Sequence, residues 1–430
     1  MLTSLGFHTF AIFLRLTYSE AVRLYRDFQN CEDVRIRPIG RDEKSPSAFP
    51  KGYIVEYIEK SRGIIWYVRF SDELSQYMQP SLDHNNPKYQ QEPRPYSVRA
   101  TINPKILVGI RDYLTAANSD NLEEVESRFN EEAAKISPVL AAFEAYSMNR
   151  TDYCLNADLV ELKIGCSARQ MMTLIKRGDI PNHLTEWKQY DDKEHRKKPN
   201  RNALYLQNDS LTINCYLKHE QLLAEFPECP DLADSQNLIR FELQCKYPKV
   251  YSLAKGNRYN SKMYKSMSDD EHWEVNFHGQ LITNPIDVLL SESIALEVVR
   301  KYFNQVVGKG DYYSLDYARK KIQLTNCQQK VKDRLISVLG LVNCCRSISK
   351  ARASLQGKEE KKFGRSLKEL AGMGINPVTI PREWGIQHIP NLFETYINKL
   401  SYERITDQIE QWDHNILKDY INNCNKQENA

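Results

Sequence analysis

A tyrosine, two carboxylates and several cations fall at every second position of three short stretches, Arg150 to Asp158 (RTDYCLNAD), Leu211 to Lys218 (LTINCYLK) and Ile239 to Lys246 (IRFELQCK). Successive side chains of a β-strand point to opposite faces, so each stretch divides by parity. The even positions carry Arg150, Asp152, Asn156, Asp158, Asn214, Tyr216, Lys218, Arg240, Glu242, Gln244 and Lys246. The odd positions carry Tyr153, Leu155, Ile213, Cys215, Leu217, Ile239, Phe241, Leu243 and Cys245. Phosphodiester cleavage is the chemistry that such a polar face would supply. A phenol ionises near ~10, so a nucleophilic Tyr216 needs cations or a metal beside it. Asp152 and Glu242 are hard oxygen ligands suited to Mg²⁺ or Mn²⁺, which would polarise a phosphoryl oxygen. Lys218 shares the face of Tyr216. Arg150 and Arg240 either grip the scissile phosphate bidentately or pair with Asp152 and Glu242. The plain alternative is a half-exposed antiparallel sheet whose charged face is solvated.

The elements that must position these residues can be read from the rest of the pattern. Phe10 to Leu16 reads as a strand, succeeded by a helix from Ser19 to Phe28 with Ser19 as N-cap and Glu20 in the first turn. Tyr53 to Ile58 and Ile64 to Phe70 read as a hairpin around Ser61-Arg-Gly63. Gln79 to Pro95 reads as a loop, and Pro104 to Ala117 and Asn121 to Tyr146 as helices, with Asn121 capping the second. A helix is expected over Ser167 to Lys176, and a helix or turn from His219 to Phe226. Beyond about Asn284 the pattern turns helical, with runs over Ser291 to Val307, Lys320 to Val342 and Lys361 to Ala371, the last closed by Gly372-Met-Gly-Ile-Asn-Pro377. The fold class expected is therefore α+β, an antiparallel-sheet core with flanking helices and a mainly helical C-terminal domain. Its parts are an N-terminal half over 1–148, a catalytic half over 149–284 and a helical, basic region over 285–430.

Composition sets the partners. An apolar fraction of 41% and a charged fraction of 27% over 430 residues describe an ordinary globular protein with ample core. The net charge is only +3, but it is uneven: from Arg319 to Glu369, 14 Lys or Arg residues stand against four acidic ones. A local excess of this kind suits a phosphate backbone. Lys361, Lys362 and Arg365 there, and Lys197, Lys198, Arg201 and Lys246 around the tyrosine stretch, are the candidate DNA contacts. Ten scattered cysteines without a C-x-x-C pair read as reduced, intracellular and not zinc-binding. Phe7 to Leu16 is interrupted by His8, Thr9 and Arg15 and is too short to span a bilayer, and the N-terminus does not read as a signal peptide.

At the three stretches the chain resembles the replication initiators of filamentous phages, the gene II protein family. The resemblance rests on Arg150-Thr-Asp152, on Tyr216-Leu-Lys-His-Glu-Gln-Leu222 and on Leu238-Ile-Arg-Phe-Glu-Leu-Gln-Cys-Lys246, with looser similarity from Phe363 to Pro381. It implies rolling-circle replication in the cytoplasm of a bacterial host. Tyr216, the tyrosine of the Tyr-Leu-Lys-His motif, would nick one strand of an origin duplex and hold the 5′ end as a phosphotyrosyl link. The free 3′-OH would then serve a host polymerase, and the displaced single strand would later be cut and rejoined. A G-x-x-x-x-G-K-[ST] motif is absent, so unwinding would fall to a host helicase. The nine histidines contain no His-hydrophobic-His pair, which leaves the metal to Asp152 and Glu242, with Asp158 or His219 as supplements. Two alternatives stay open: the relaxase of a mobile element, and a DNA-binding regulator that does not cut.

Overall fold

The structure is a computed structural model that describes residues 2–39, 52–57, 62–69, 96–191, 196–198, 200, 202–257 and 286–400, with backbone alone at 39, 189–191 and 196–198. It is α+β. The strands in chain order are β1 (Ser4–Leu16), β2 (Val34–Ile39), β3 (Gly52–Tyr57), β4 (Ile64–Arg69), β5 (Tyr96–Ile102), β6 (Ser147–Asp158), β7 (Thr185–Glu186), β8 (Gln189–Asp191), β9 (Arg196–Lys198), β10 (Ala203–Gln207), β11 (Leu211–Leu217) and β12 (Leu238–Cys245). Among the described residues ten of them form one antiparallel sheet in the order β2-β3-β4-β5-β1-β6-β12-β11-β10-β7. The three stretches with alternating chemistry are thus β6, β12 and β11, side by side near the centre of the sheet. The expected β3–β4 hairpin is present.

Parity works as the alternation requires. Tyr216 stands opposite Arg240 and Asn214 opposite Glu242, while Arg240 faces Asn156 and Gln244 faces Asp152. The odd face is core. Phe241 packs its ring on Phe303, with centroids 5.2 Å apart, and the Tyr153 hydroxyl donates to the Leu289 carbonyl at 2.7 Å. Both partners belong to helices that come after the sheet in sequence, Ile286–Leu289 and Glu292–Val306. One apolar cluster runs from Leu5 through Trp66, Phe129 and Phe241 to Phe393 and Tyr396.

Helix ends show where local signals ruled. The first helix runs Tyr18–Gln29 and starts one residue earlier than the sequence suggests, because Thr17 rather than Ser19 makes the capping box with Glu20. The helix expected from Pro104 to Ala117 stops at Leu107. Gly109 takes φ +80°, and Ile110 N–H closes back on the Lys105 carbonyl. Residues 110–117 leave that helix end as an irregular cover over the sheet. The helix over Leu122–Ile136 likewise ends ahead of Pro138, and Asn121 makes no side-chain cap for it. The run from Lys320 to Val342 is two helices, Leu315–Gln323 and Gln329–Cys345.

Candidate active site

The polar face is not solvated. Arg240 is 1% exposed, Asp152 2%, Lys218 3%, Glu242 8% and Tyr216 9%. Charges are buried only when something else holds them, and here the holding is partial. The bland reading of a wet, charged sheet face therefore does not describe this sheet.

A β-bulge on β1 builds one side of the site. Phe7 pairs with Tyr153 and Phe10 with Thr151, so His8 and Thr9 together oppose Asp152. The Thr9 hydroxyl donates to Asp152 Oδ2, and Arg150 Nη2 reaches the same oxygen at 2.9 Å and Thr9 Oγ1 at 3.2 Å. Asp152 Oδ1 is buried without a hydrogen-bond partner among the described residues. Burial, aided by nearby Glu242 and opposed by Arg150 and Thr9, lifts the Asp152 carboxyl to about 6. On the next strands the Tyr216 hydroxyl donates to Glu242 Oε2 at 3.3 Å. Burial pushes the phenol well above its ordinary range, with Arg240 pulling the other way. Arg240 donates from Nε to Asn156 Oδ1 at 2.6 Å and from Nη2 to the Tyr113 carbonyl at 3.3 Å, and its Nη1 has no partner among the described residues. Asn214 Oδ1 is a further buried acceptor without a partner.

The cover over this face depends on one glycine. A Cβ on Gly6 would sit 1.9 Å from the Ala117 carbonyl oxygen, so only glycine lets segment 113–117 cross β1 here. The segment is tied down at three points: Phe7 and Ala117 exchange backbone hydrogen bonds, Ala116 N–H donates to Ser4 Oγ at 3.0 Å, and Arg240 holds Tyr113. A cleft of about 430 Å³ remains open beside it, lined in part by His8, Tyr205, Asn214, Tyr216, Gln221 and Glu242.

Lys218 opens the helix Lys218–Glu225 directly after the tyrosine strand, and its Nζ donates to Gln221 Oε1 at 2.8 Å. Burial, with Arg240 close by, lowers the ammonium to about 7 despite attraction from Glu242. His8 is held neutral by burial and by Arg240, Lys218, Lys105 and Arg150. Two site residues escape the alternation rule. His8 lies outside the strand expected from Phe10 onward, and Cys154, an apolar residue by type, stands opposite Glu242 on the polar face. The Cys154 thiol is pushed up to about 12 by burial.

The remaining candidates divide. His219 Nδ1 is occupied by the Leu232 carbonyl and Ser235 Oγ, and Asp158 Oδ1 caps the N–H groups of Val160 and Glu161, so both serve the local backbone. Lys246 lies beyond the far end of β12, six residues or roughly 20 Å along the strand from Arg240, and donates to the Asn208 carbonyl at 2.8 Å. Lys197 and Lys198 lie on β9, which pairs with β8. Arg201, like the loop read over Gln79 to Pro95, is outside the described residues. Lys361, Lys362 and Arg365 are exposed on the helix Lys358–Gly372, opposite buried Phe363, Ser366 and Leu370. Three further tyrosines lie close together in sequence after the sheet: Tyr312 is 1% exposed, and Tyr313 stacks on Tyr317 and His388.

The donor set suits a hard cation in part. Two carboxylates share the face, and one keeps a buried oxygen unpaired. Among the described residues no group of three or more His, Cys, Asp or Glu side chains is arranged to hold a metal. No described helix is long and apolar enough to cross a membrane.

No protein-family model matches the chain, and no curated protein matches it. Among solved structures, a rolling circle replication initiator protein from Geobacillus stearothermophilus is similar at 9% identity and a TM-score of 0.27, covering 67% of this chain and 99% of that one.

Proposed function

We propose that the protein is a rolling-circle replication initiator of the gene II type that nicks and rejoins one DNA strand through a tyrosine. One observation carries the reading: Tyr216 stands directly opposite Arg240 and hydrogen-bonds Glu242 on a buried face that opens into a cleft. A phenol, a cation and a carboxylate held together in this way each have a task in phosphoryl transfer.

In the proposed reaction the Tyr216 oxygen attacks the scissile phosphorus, and the bond from phosphorus to the 3′ oxygen breaks. The phenol is held protonated by burial, so a base must take its proton, and Glu242 Oε2 already accepts that hydrogen bond. The unpaired Nη1 of Arg240, together with Arg150, stabilises charge on the phosphoryl oxygens. Lys218, with its ammonium near neutrality, can return a proton to the leaving 3′ oxygen. The phosphotyrosyl link conserves the bond energy, and reversal of the same steps rejoins the strand. A Mg²⁺ or Mn²⁺ ion would be held by Asp152 and Glu242 and would supply Lewis-acid polarisation of the phosphate. The exposed face with Lys361, Lys362 and Arg365 would hold duplex DNA by its backbone. A host polymerase and helicase would be the functional partners.

The test is supercoiled DNA carrying the cognate origin, incubated with Mg²⁺ or Mn²⁺. Nicked circles with protein on the 5′ end should form, and Tyr216→Phe should abolish both. A Phe variant that nicks normally refutes the assignment of the nucleophile.

A further inference from the structure

We propose that Trp187 and Tyr205 form a stacking platform for an unpaired base of the DNA strand that enters the cleft. This rests on the nuclease reading and names the form of substrate that the site takes. Trp187 is a large aromatic side chain left 48% exposed at the edge of the sheet. Its ring meets that of Tyr205 edge-on, with centroids 5.7 Å apart, and its backbone N–H donates to the Tyr205 carbonyl at 2.9 Å. Tyr205 lines the cleft that Tyr216 and Glu242 line. The register then continues without a break: Tyr205 faces Asn214, and Asn214 faces Glu242. Trp187 therefore ends the row of residues that holds Glu242. Three strand spacings separate the two, about 14 Å.

The chemistry around this edge selects the occupant. Lys188, exposed and 3.9 Å from the Glu186 carboxylate, comes directly after the tryptophan, and the chain goes on to Arg196, Lys197 and Lys198 on β9, which pairs back onto β8. An aromatic ring exposed at the rim of a cleft binds single-stranded nucleic acid, because every base offers a π-face. A base inside a duplex already has both faces covered, so the platform discriminates against intact duplex. The cleft is lined by Glu220, Glu225 and Glu242; Glu220 is ion-paired with Arg169 at 2.7 Å and Glu225 accepts from the neutral Gln221 amide at 2.9 Å, so the platform holds the strand by a base face and not by its phosphates.

The experiment measures binding of a short single-stranded oligonucleotide and of the same sequence as a duplex, by fluorescence anisotropy, to the full chain and to Trp187→Ala and Trp187→Phe. Trp187→Ala should weaken single-strand binding about tenfold, Trp187→Phe should retain most of it, and duplex binding should stay within about twofold. Tryptophan emission of the wild type should be quenched by the single strand, and that component should vanish in both variants. Equal single-strand affinity of wild type and Trp187→Ala overturns the platform, as does an equal loss for the duplex. The nuclease reading fails separately. If Tyr216→Phe still nicks while Trp187→Ala loses single-strand affinity, the platform stands and the nucleophile does not.

Discussion

Replacing Lys218 by Met should make the protein more stable and less active, and the stability gain should depend on pH. The ammonium is 3% exposed, and its pKa falls from 10.5 to about 7, chiefly through burial and then through Arg240. Each unit of such a shift corresponds to ~1.4 kcal/mol between protonation states. The charged form in the folded protein is therefore disfavoured by on the order of 5 kcal/mol, an upper bound, since Met also gives up the hydrogen bond to Gln221. The direction comes from a folded pKa depressed below the unfolded one. Below pH 7 both states carry the proton and the full penalty applies. Between about 7 and 10.5 the folded state has released it while the unfolded state has not, so wild-type stability rises with pH across that window. Urea unfolding midpoints at pH 6 and pH 9 measure this. Lys218→Met should exceed wild type clearly at pH 6, and the difference should shrink by pH 9. A variant no more stable than wild type at pH 6 would show that the buried ammonium is fully compensated and that its lowered pKa is not a folding cost.

Thr9→Val removes the hydroxyl that fixes Asp152 Oδ2, and loss of a group that orients a ligand typically costs about 10–100-fold in metal affinity or activity. A Mn²⁺ titration of nicking should shift by that factor, and an unchanged titration would remove Asp152 from the metal site. Gly6→Ala places a methyl carbon 1.9 Å from the Ala117 carbonyl oxygen, so backbone must move at a cost of about 1–3 kcal/mol. Its melting temperature should fall and hydrogen exchange over 113–117 should accelerate; an unaltered melt would mean that the cover is not closely applied. Changing Lys361, Lys362 and Arg365 together to Ala should lower the slope of log affinity against log salt for duplex DNA by up to about 3. An unchanged slope excludes that helix from the duplex contact.

The centre of the sheet was legible because parity is a strict rule. Once β6, β11 and β12 pair antiparallel without a bulge between them, alternating residues must share a face: Tyr216 stands opposite Arg240 with Glu242 in the next row, and Asp152 lies on the same face one row further, opposite Gln244. Adjacency of the three strands was not itself written in the alternation; it is a long-range fact. Failures cluster where the period breaks. The bulge at His8 and Thr9 puts two consecutive side chains on one face, which no alternating pattern announces. Cys154 reads as apolar by type, yet its position opposite Glu242 puts it among the charges. Gly109 was a visible helix-stop signal, and its positive φ turns a stretch expected as helix into the cover over the site. That Gly6 admits this cover depends on residues 111 positions apart touching, which local pattern cannot reveal.

The cover and the charges beneath it belong to one physical argument. Burying Arg240, Asp152, Glu242 and Lys218 in the middle of a sheet opposes folding, and among the described residues Arg240 Nη1, Arg150 Nε, Asp152 Oδ1 and Asn214 Oδ1 are left without partners. A face meant only for stability would have been filled with apolar side chains, as the odd face of the same strands is. The unpaired donors are cationic and the unpaired acceptors are oxygens, so what completes them must present an anion to Arg240 and Arg150 and a cation or polar hydrogens to Asp152 and Asn214. A phosphodiester with its metal ion has that composition. Any ligand that satisfies these atoms should also recover part of the folding cost, so substrate affinity and the stability of the sheet centre are two readings of the same unpaired groups.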